Sequence, residues 1–180
     1  MPIEVEVKYK VANLEDIEYQ LIEWGAKLEE IVIQRDLYFN HPSRDFAKTD
    51  EAFRIREEGE STFLTYKGSK ISKKSKTRKE IEFKISQAKE AAEMLELLGF
   101  KKVLVVSKQR RIYKLDDVNW CLDEVDSLGS FLELEKIVKY KKDIPKTLDS
   151  IFELVAKVGL KPKENITTSY LELLLENKEK

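Results

Sequence analysis

What the chain lacks narrows its chemistry first. Its 180 residues include one cysteine, Cys121, and one histidine, His41. A lone cysteine excludes an internal disulfide, and Cys121, set among strand-like residues, reads as a small packed side chain rather than a nucleophile. A lone histidine, followed by Pro42 in a turn, gives no footing to a His-based zinc site or a Ser-His triad. There is no long hydrophobic run. Stretches such as Val103 to Val106 are far too short to cross a bilayer and no apolar leader opens the chain, so it reads as a soluble, cytoplasmic protein without a membrane partner. An excess of one charge sign is also missing: 33 basic and 34 acidic residues leave a formal net charge of −1, and any electrostatic function must come from how charges are placed. The length suits a single domain over residues 1–180.

What is present is alternation. In Glu4-Val5-Glu6-Val7-Lys8 charged and apolar residues change places at every step, the period of a strand with one charged and one apolar face. Asn13 caps a predicted helix carrying Ile17, Leu21, Ile22 and Trp24, which Gly25 stops. Residues 27–39 return to strand character. The unit then recurs: Glu80-Ile81-Glu82-Phe83-Lys84, Ser86 as a cap, a helix through Ala91, Met94, Leu95 and Leu98, Gly99, and a long strand through Lys108 and Arg110. A partial third copy starts at Glu133-Leu134-Glu135 and continues into a helix from Asp143 and Pro145. Residues 52–57 and 61–67 flank Glu58-Gly59-Glu60 as a hairpin. Residues 68–77 have no period and read as an exposed basic loop, expected to close over phosphates. Residues 167–175 read as a short amphipathic helix. The class is α+β with a large antiparallel sheet.

Any one charged face could simply meet water. Its repetition argues otherwise. Glu4, Glu6, Glu80, Glu82, Asp123, Glu133 and Glu135 fall on the charged faces together with Lys8, Arg54, Arg56, Lys67, Lys84, Lys108 and Arg110, while the opposite faces, carrying Val5, Val7, Phe53, Ile55, Phe63, Tyr66, Ile81, Phe83, Leu132 and Leu134, need covering by helices. Helices outside and charges inside follow if the sheet closes as a barrel. Desolvating such a lumen is costly unless each charge is balanced. Carboxylates suit Mg²⁺ or Mn²⁺, and arginine and lysine suit phosphate oxygens, so both sets in one cavity point to a metal-bound polyphosphate. An internal salt-bridge network is the alternative.

The series Glu4-x-Glu6-x-Lys8, Asp36-Leu-Tyr38-Phe, Arg54-Ile-Arg56, Leu64-Thr65-Tyr66-Lys67-Gly68, Arg78-x-Glu80-x-Glu82, Lys108-x-Arg110, Cys121-Leu-Asp123 and Glu133-Leu-Glu135 resembles the CYTH family, or triphosphate tunnel metalloenzymes, in its class IV adenylyl cyclase branch. The resemblance implies a closed antiparallel eight-stranded β-barrel, a tunnel with a charged lumen and amphipathic helices packed outside. It implies Glu4, Glu6, Glu133, Glu135 and Asp123 on the side of a Mg²⁺ or Mn²⁺ ion, and Lys8, Arg54, Arg56, Lys67, Arg78, Lys84, Lys108 and Arg110 on the phosphates. Lys8, Arg110 and Asp123 stand at the reacting centre, with Glu80 and Glu82 as further lumen acids. The implied substrate is a small-molecule triphosphate: ATP for a cyclase, or inorganic, thiamine or nucleoside triphosphate for a triphosphatase. Partners are this substrate and a second copy of the chain as a homodimer; nucleic acid is disfavoured because the basic loop carries no aromatic beyond Tyr66 for base stacking. Polyphosphate or RNA binding without turnover is the remaining alternative.

Overall fold

The computed structural model describes residues 3–71 and 77–178. Eight antiparallel strands close into a barrel: β1 (Ile3–Lys10), β2 (Lys27–Asn40), β3 (Ala52–Glu58), β4 (Ser61–Lys70), β5 (Arg78–Ile85), β6 (Lys101–Leu115), β7 (Val118–Val125) and β8 (Gly129–Val138). Around the barrel the order is β1-β5-β4-β3-β2-β6-β7-β8, with β8 returning to β1. The β8–β1 seam is long, from Ile3↔Val138 to Lys10↔Phe131, whereas among the described residues β1 meets β5 at Ile3↔Lys79 and Glu4↔Arg78.

The outward faces explain the helices. Helices α1 (Leu14–Glu23) and α4 (Ile144–Lys157) cover β1, β7 and β8, where Val5, Val7, Trp120, Leu122, Leu132 and Leu134 pack with Leu14, Ile17, Leu21, Ile151 and Val155. Asn13 does cap α1, its side-chain oxygen accepting from the Glu15 N–H, and Gly25 ends it at φ 81°, a left-handed conformation that costs glycine nothing. Helix α3 (Ala88–Leu97) sits on β3 and β6, packing Ala92 and Leu95 against Phe39 and Ile55. The short α2 (Phe46–Thr49) and the C-terminal α5 (Tyr170–Lys178) complete the set. Among the described residues no helix is long and apolar enough to cross a membrane.

Several local expectations change. The N-cap of α3 is Gln87, not Ser86, and makes no side-chain cap bond. Strand β4 runs on to Lys70, so the predicted loop is shorter, and residues 72–76 at its centre, with their expected closure over phosphates, lie outside the described residues. The last helix starts at Tyr170 rather than 167. Phe63 faces Arg56 across the β3–β4 ladder and shares the parity of Thr65 and Lys67, so it belongs to the inner face. Covering is also incomplete: Ile33 and Phe83 point outward with 69% and 53% exposure, because no helix follows the β2 and β5 walls there.

Trp120 is fully buried in the main core and meets Trp24 edge-on, with ring centroids 6.1 Å apart. Replacing Trp120 by alanine is expected to cost about 3–5 kcal/mol, read as a lowered urea midpoint.

Candidate functional site

Alternate residues of β1 and β8 bring Glu6 opposite Glu135 and Lys8 opposite Glu133. One carboxylate oxygen from each of Glu6, Glu133 and Glu135 lies within 4.8 Å of the others. Three hard oxygen donors so close, two of them on buried residues, fit a divalent cation. Glu4 is not in this group. It lies 3.3 Å from the Lys67 ammonium, which also meets Glu80 at 2.8 Å. Burial opposes the charge on Lys67, but Glu4 and Glu80 outweigh it and hold the amine protonated.

Across the channel stands a basic wall whose organiser the sequence reading did not place among the site residues. Asp36, buried on β2, accepts from Arg56 Nε at 2.6 Å, Arg56 Nη2 at 2.8 Å and Arg54 Nη1 at 2.9 Å. Burial disfavours its ionised form, yet Arg54 and Arg56 prevail and hold the carboxyl far below the usual carboxylate range. Its signal was available: Gln34, Asp36 and Tyr38 share one parity of a strand, and all three line the same cavity as Arg54 and Arg56.

Asp123 plays the equivalent part for the other basic pair. It accepts from Arg110 Nε and Nη2, each at 2.6 Å, and from Lys108 Nζ at 2.9 Å. The Tyr170 hydroxyl adds a fourth bond at 2.9 Å. Burial again opposes ionisation and Arg110 and Lys108 overcome it. Fully buried and so enclosed, Asp123 is not among the residues lining the cavity, and the structure leaves it apart from the acidic trio. Arg110 instead reaches the trio, donating to Glu133 and, at 2.9 Å, to Glu135. Burial and Arg110 both push Lys108 below its usual range.

Two further expected residues take unexpected places. Lys8 is fully buried beneath the C-terminal segment, donating to the Thr168 carbonyl with its ammonium 4.2 Å from the Tyr170 ring centre. Lys84 is exposed at the barrel end and donates to Ser61 Oγ at 2.9 Å, so it does not line the cavity; β5 has run past the end of β1 by this point. Arg78 does line it, 3.4 Å from Asp50, while Glu82 lines it and accepts from Thr65 at 2.7 Å. The cavity encloses about 340 Å³ and takes in the trio, Arg54, Arg56, Lys108, Arg110 and residues of α5. Cys121 is buried, and burial pushes its thiol well up, which fits packing rather than reactivity.

This barrel with opposed acidic and basic walls is matched by the CYTH domain over residues 2–170. The chain belongs to the CYTH family. A Methanocaldococcus jannaschii relative, provisionally named an adenylate cyclase, is 43% identical over 171 residues, 95% of this chain and 98% of that one. The adenylate cyclase CyaB of Aeromonas hydrophila is 28% identical over 174 residues, covering 94% and 87%. These names agree with the class IV adenylyl cyclase branch. The solved PH1819 protein of Pyrococcus horikoshii is 43% identical, with a TM-score of 0.88 over 97% of this chain and 99% of that one.

Asp36→Ala leaves two buried guanidiniums of this CYTH lumen without their shared anion, and a loss of about 3–5 kcal/mol in denaturant unfolding is expected. Because the folded carboxyl titrates far below its unfolded value, its contribution is fully present above about pH 5 and is lost as pH falls toward the folded value. Unfolding free energies measured from pH 7 down to pH 3 should therefore fall less steeply in Asp36→Asn than in the parent.

Proposed function

We propose that this chain is a divalent-cation-dependent adenylyl cyclase of the class IV type, converting ATP to cyclic AMP and pyrophosphate in the cytoplasm. The observation that carries the reading is one enclosed cavity in which the carboxylates Glu6, Glu133 and Glu135 face Arg54, Arg56 and Lys67. The named relatives support the cyclase reaction within that cradle.

Glu6, Glu133 and Glu135 would hold Mg²⁺ or Mn²⁺, which when bound supplies charge neutralisation at phosphoryl oxygens and acidifies the ribose hydroxyl. Arg54 and Arg56 donate to the phosphate chain in a fork that Asp36 has already oriented, so little reorganisation accompanies binding. Lys67 and Arg78 extend the donor set along the same wall. The 3′-hydroxyl gives its proton to a carboxylate of the cavity lining as its oxygen forms a bond to the α-phosphorus and the bond to the bridging oxygen breaks, and Arg110 stabilises charge on the departing pyrophosphate. Enclosure strengthens each contact by excluding water.

Incubation with ATP and Mn²⁺ or Mg²⁺, followed by product separation, tests the reaction. Cyclic AMP with pyrophosphate is expected; ADP with phosphate, cleavage of inorganic or thiamine triphosphate alone, or binding without turnover would overturn it. Glu4→Ala combined with Glu6→Ala is expected to abolish both turnover and metal-dependent triphosphate binding while far-UV circular dichroism stays that of the folded parent, since Glu80 still meets Lys67 and Glu133 and Glu135 still meet Arg110. Retained turnover would refute the role given to these acids.

A further inference from the structure

Two cations claim the same carboxylate oxygens in this lumen. One is the divalent ion that Glu6, Glu133 and Glu135 would hold; the other belongs to the chain itself, because the Arg110 guanidinium donates through Nη2 to Glu133 and through Nη1 to Glu135, the latter at 2.9 Å. Its opposite edge is fixed. Nε and Nη2 grip Asp123 at 2.6 Å each, and Asp123 is in turn held by Lys108 at 2.9 Å and by the Tyr170 hydroxyl at 2.9 Å. With the Arg110 side chain 7% exposed and that of Asp123 fully enclosed, the guanidinium stays anchored in the wall while its outer edge can change partners.

A divalent ion seated on the glutamates takes the oxygens that this outer edge uses, and it repels the guanidinium as a like charge. The N–H groups of the edge are then buried without an acceptor, a state that costs free energy until an anion meets them. Phosphate oxygens are such acceptors, and Arg110 lines the cavity that would carry them. The Asp123 contacts need not break for this change of partner, because they use Nε and the inner side of Nη2. Other lumen cations are placed differently: Arg54 and Arg56 lean on Asp36, and Lys67 on Glu4 and Glu80, all acids outside the trio.

We infer that Arg110 is an exchangeable counter-ion: it balances Glu133 and Glu135 until a divalent cation displaces it, and only then turns its outer edge onto the phosphate chain. The inference rests on the metal and triphosphate reading of the channel and adds an order to it. Cation and phosphate chain bind with positive coupling through one side chain, each making the other's place available. A triphosphate arriving without its cation finds Arg110 engaged by the glutamates, so the channel selects the chelated form.

Equilibrium binding tests it. Mn²⁺ is titrated into the protein with the free ion followed by electron paramagnetic resonance, and imidotriphosphate, a non-cleavable probe, is titrated calorimetrically in Mg²⁺ or in EDTA. Arg110→Gln should bind Mn²⁺ about tenfold more tightly than the parent, lose about tenfold in imidotriphosphate affinity in Mg²⁺, and stay within about threefold of the parent in EDTA. Lys108→Gln removes the same unit of charge from beside Asp123 and controls for field alone; its Mn²⁺ affinity should move by less than about threefold. No Mn²⁺ gain in Arg110→Gln, an equal gain in Lys108→Gln, or an equal phosphate loss with and without Mg²⁺ would overturn the exchange. Should Arg110→Gln not give the far-UV circular dichroism of the parent, Asp123→Asn decides: freed from its anchor, Arg110 should compete harder and weaken Mn²⁺ by about tenfold, and unchanged or tighter Mn²⁺ overturns the exchange. A parent that binds no Mn²⁺ overturns the metal-site reading instead, and one that binds Mn²⁺ but not imidotriphosphate in Mg²⁺ overturns the triphosphate reading.

Discussion

Charge balance inside a closed barrel is the constraint on which the rest depends. Asp36 holds Arg54 and Arg56, Asp123 holds Lys108 and Arg110, and Glu4 with Glu80 holds Lys67. An isolated ion in these positions would cost several kcal/mol, so the barrel can close only because these cations are delivered beside carboxylates. Strand register is thereby tied to electrostatics. A one-residue slip of β2 would turn Asp36 outward and leave the two neighbouring guanidiniums of β3 without their shared anion.

The outer surface obeys a separate rule. Where β1, β7 and β8 present uninterrupted apolar residues, α1 and α4 bury them; where β2 and β5 carry isolated isoleucines and a phenylalanine, the wall stays bare. The helices follow the long β8–β1 seam, and the weakly paired β1–β5 seam lies away from them. Rigidity is thus concentrated on the side that carries Glu6, Glu133 and Glu135, where small displacements would matter most for a cation site.

The period-two pattern made the barrel legible, because each charged residue in a strand declares its face by parity alone. That is why the β1 and β8 acids, the Arg54 and Arg56 pair and Lys67 all sit where alternation puts them. Parity does not say how far along the barrel a residue lies, or what covers it. Lys84 has inner parity but stands at the open end. Lys8 and Asp123 have it too, yet the C-terminal segment reaches them through Thr168 and Tyr170, a contact across some 47 residues or more of sequence that no local pattern encodes. Asp36 lay within a polar cluster quoted for its resemblance, but its chemistry depends on two arginines delivered by another strand.

The pattern of sharing also bears on whether the lumen is only a structural salt-bridge network. In a self-sufficient network acids and bases pair off evenly. Here one carboxylate, Asp36, is divided between two guanidiniums, while one guanidinium, that of Arg110, is divided among Asp123, Glu133 and Glu135. The first arrangement turns two arginines toward a place another anion can share, and the second gathers carboxylates toward a place another cation can share. Both face one cavity. A ligand that brings a cation and an anion together, as a metal-chelated phosphate chain does, relieves the two imbalances at once, whereas a lone anion or a lone cation would satisfy one wall and leave the other short.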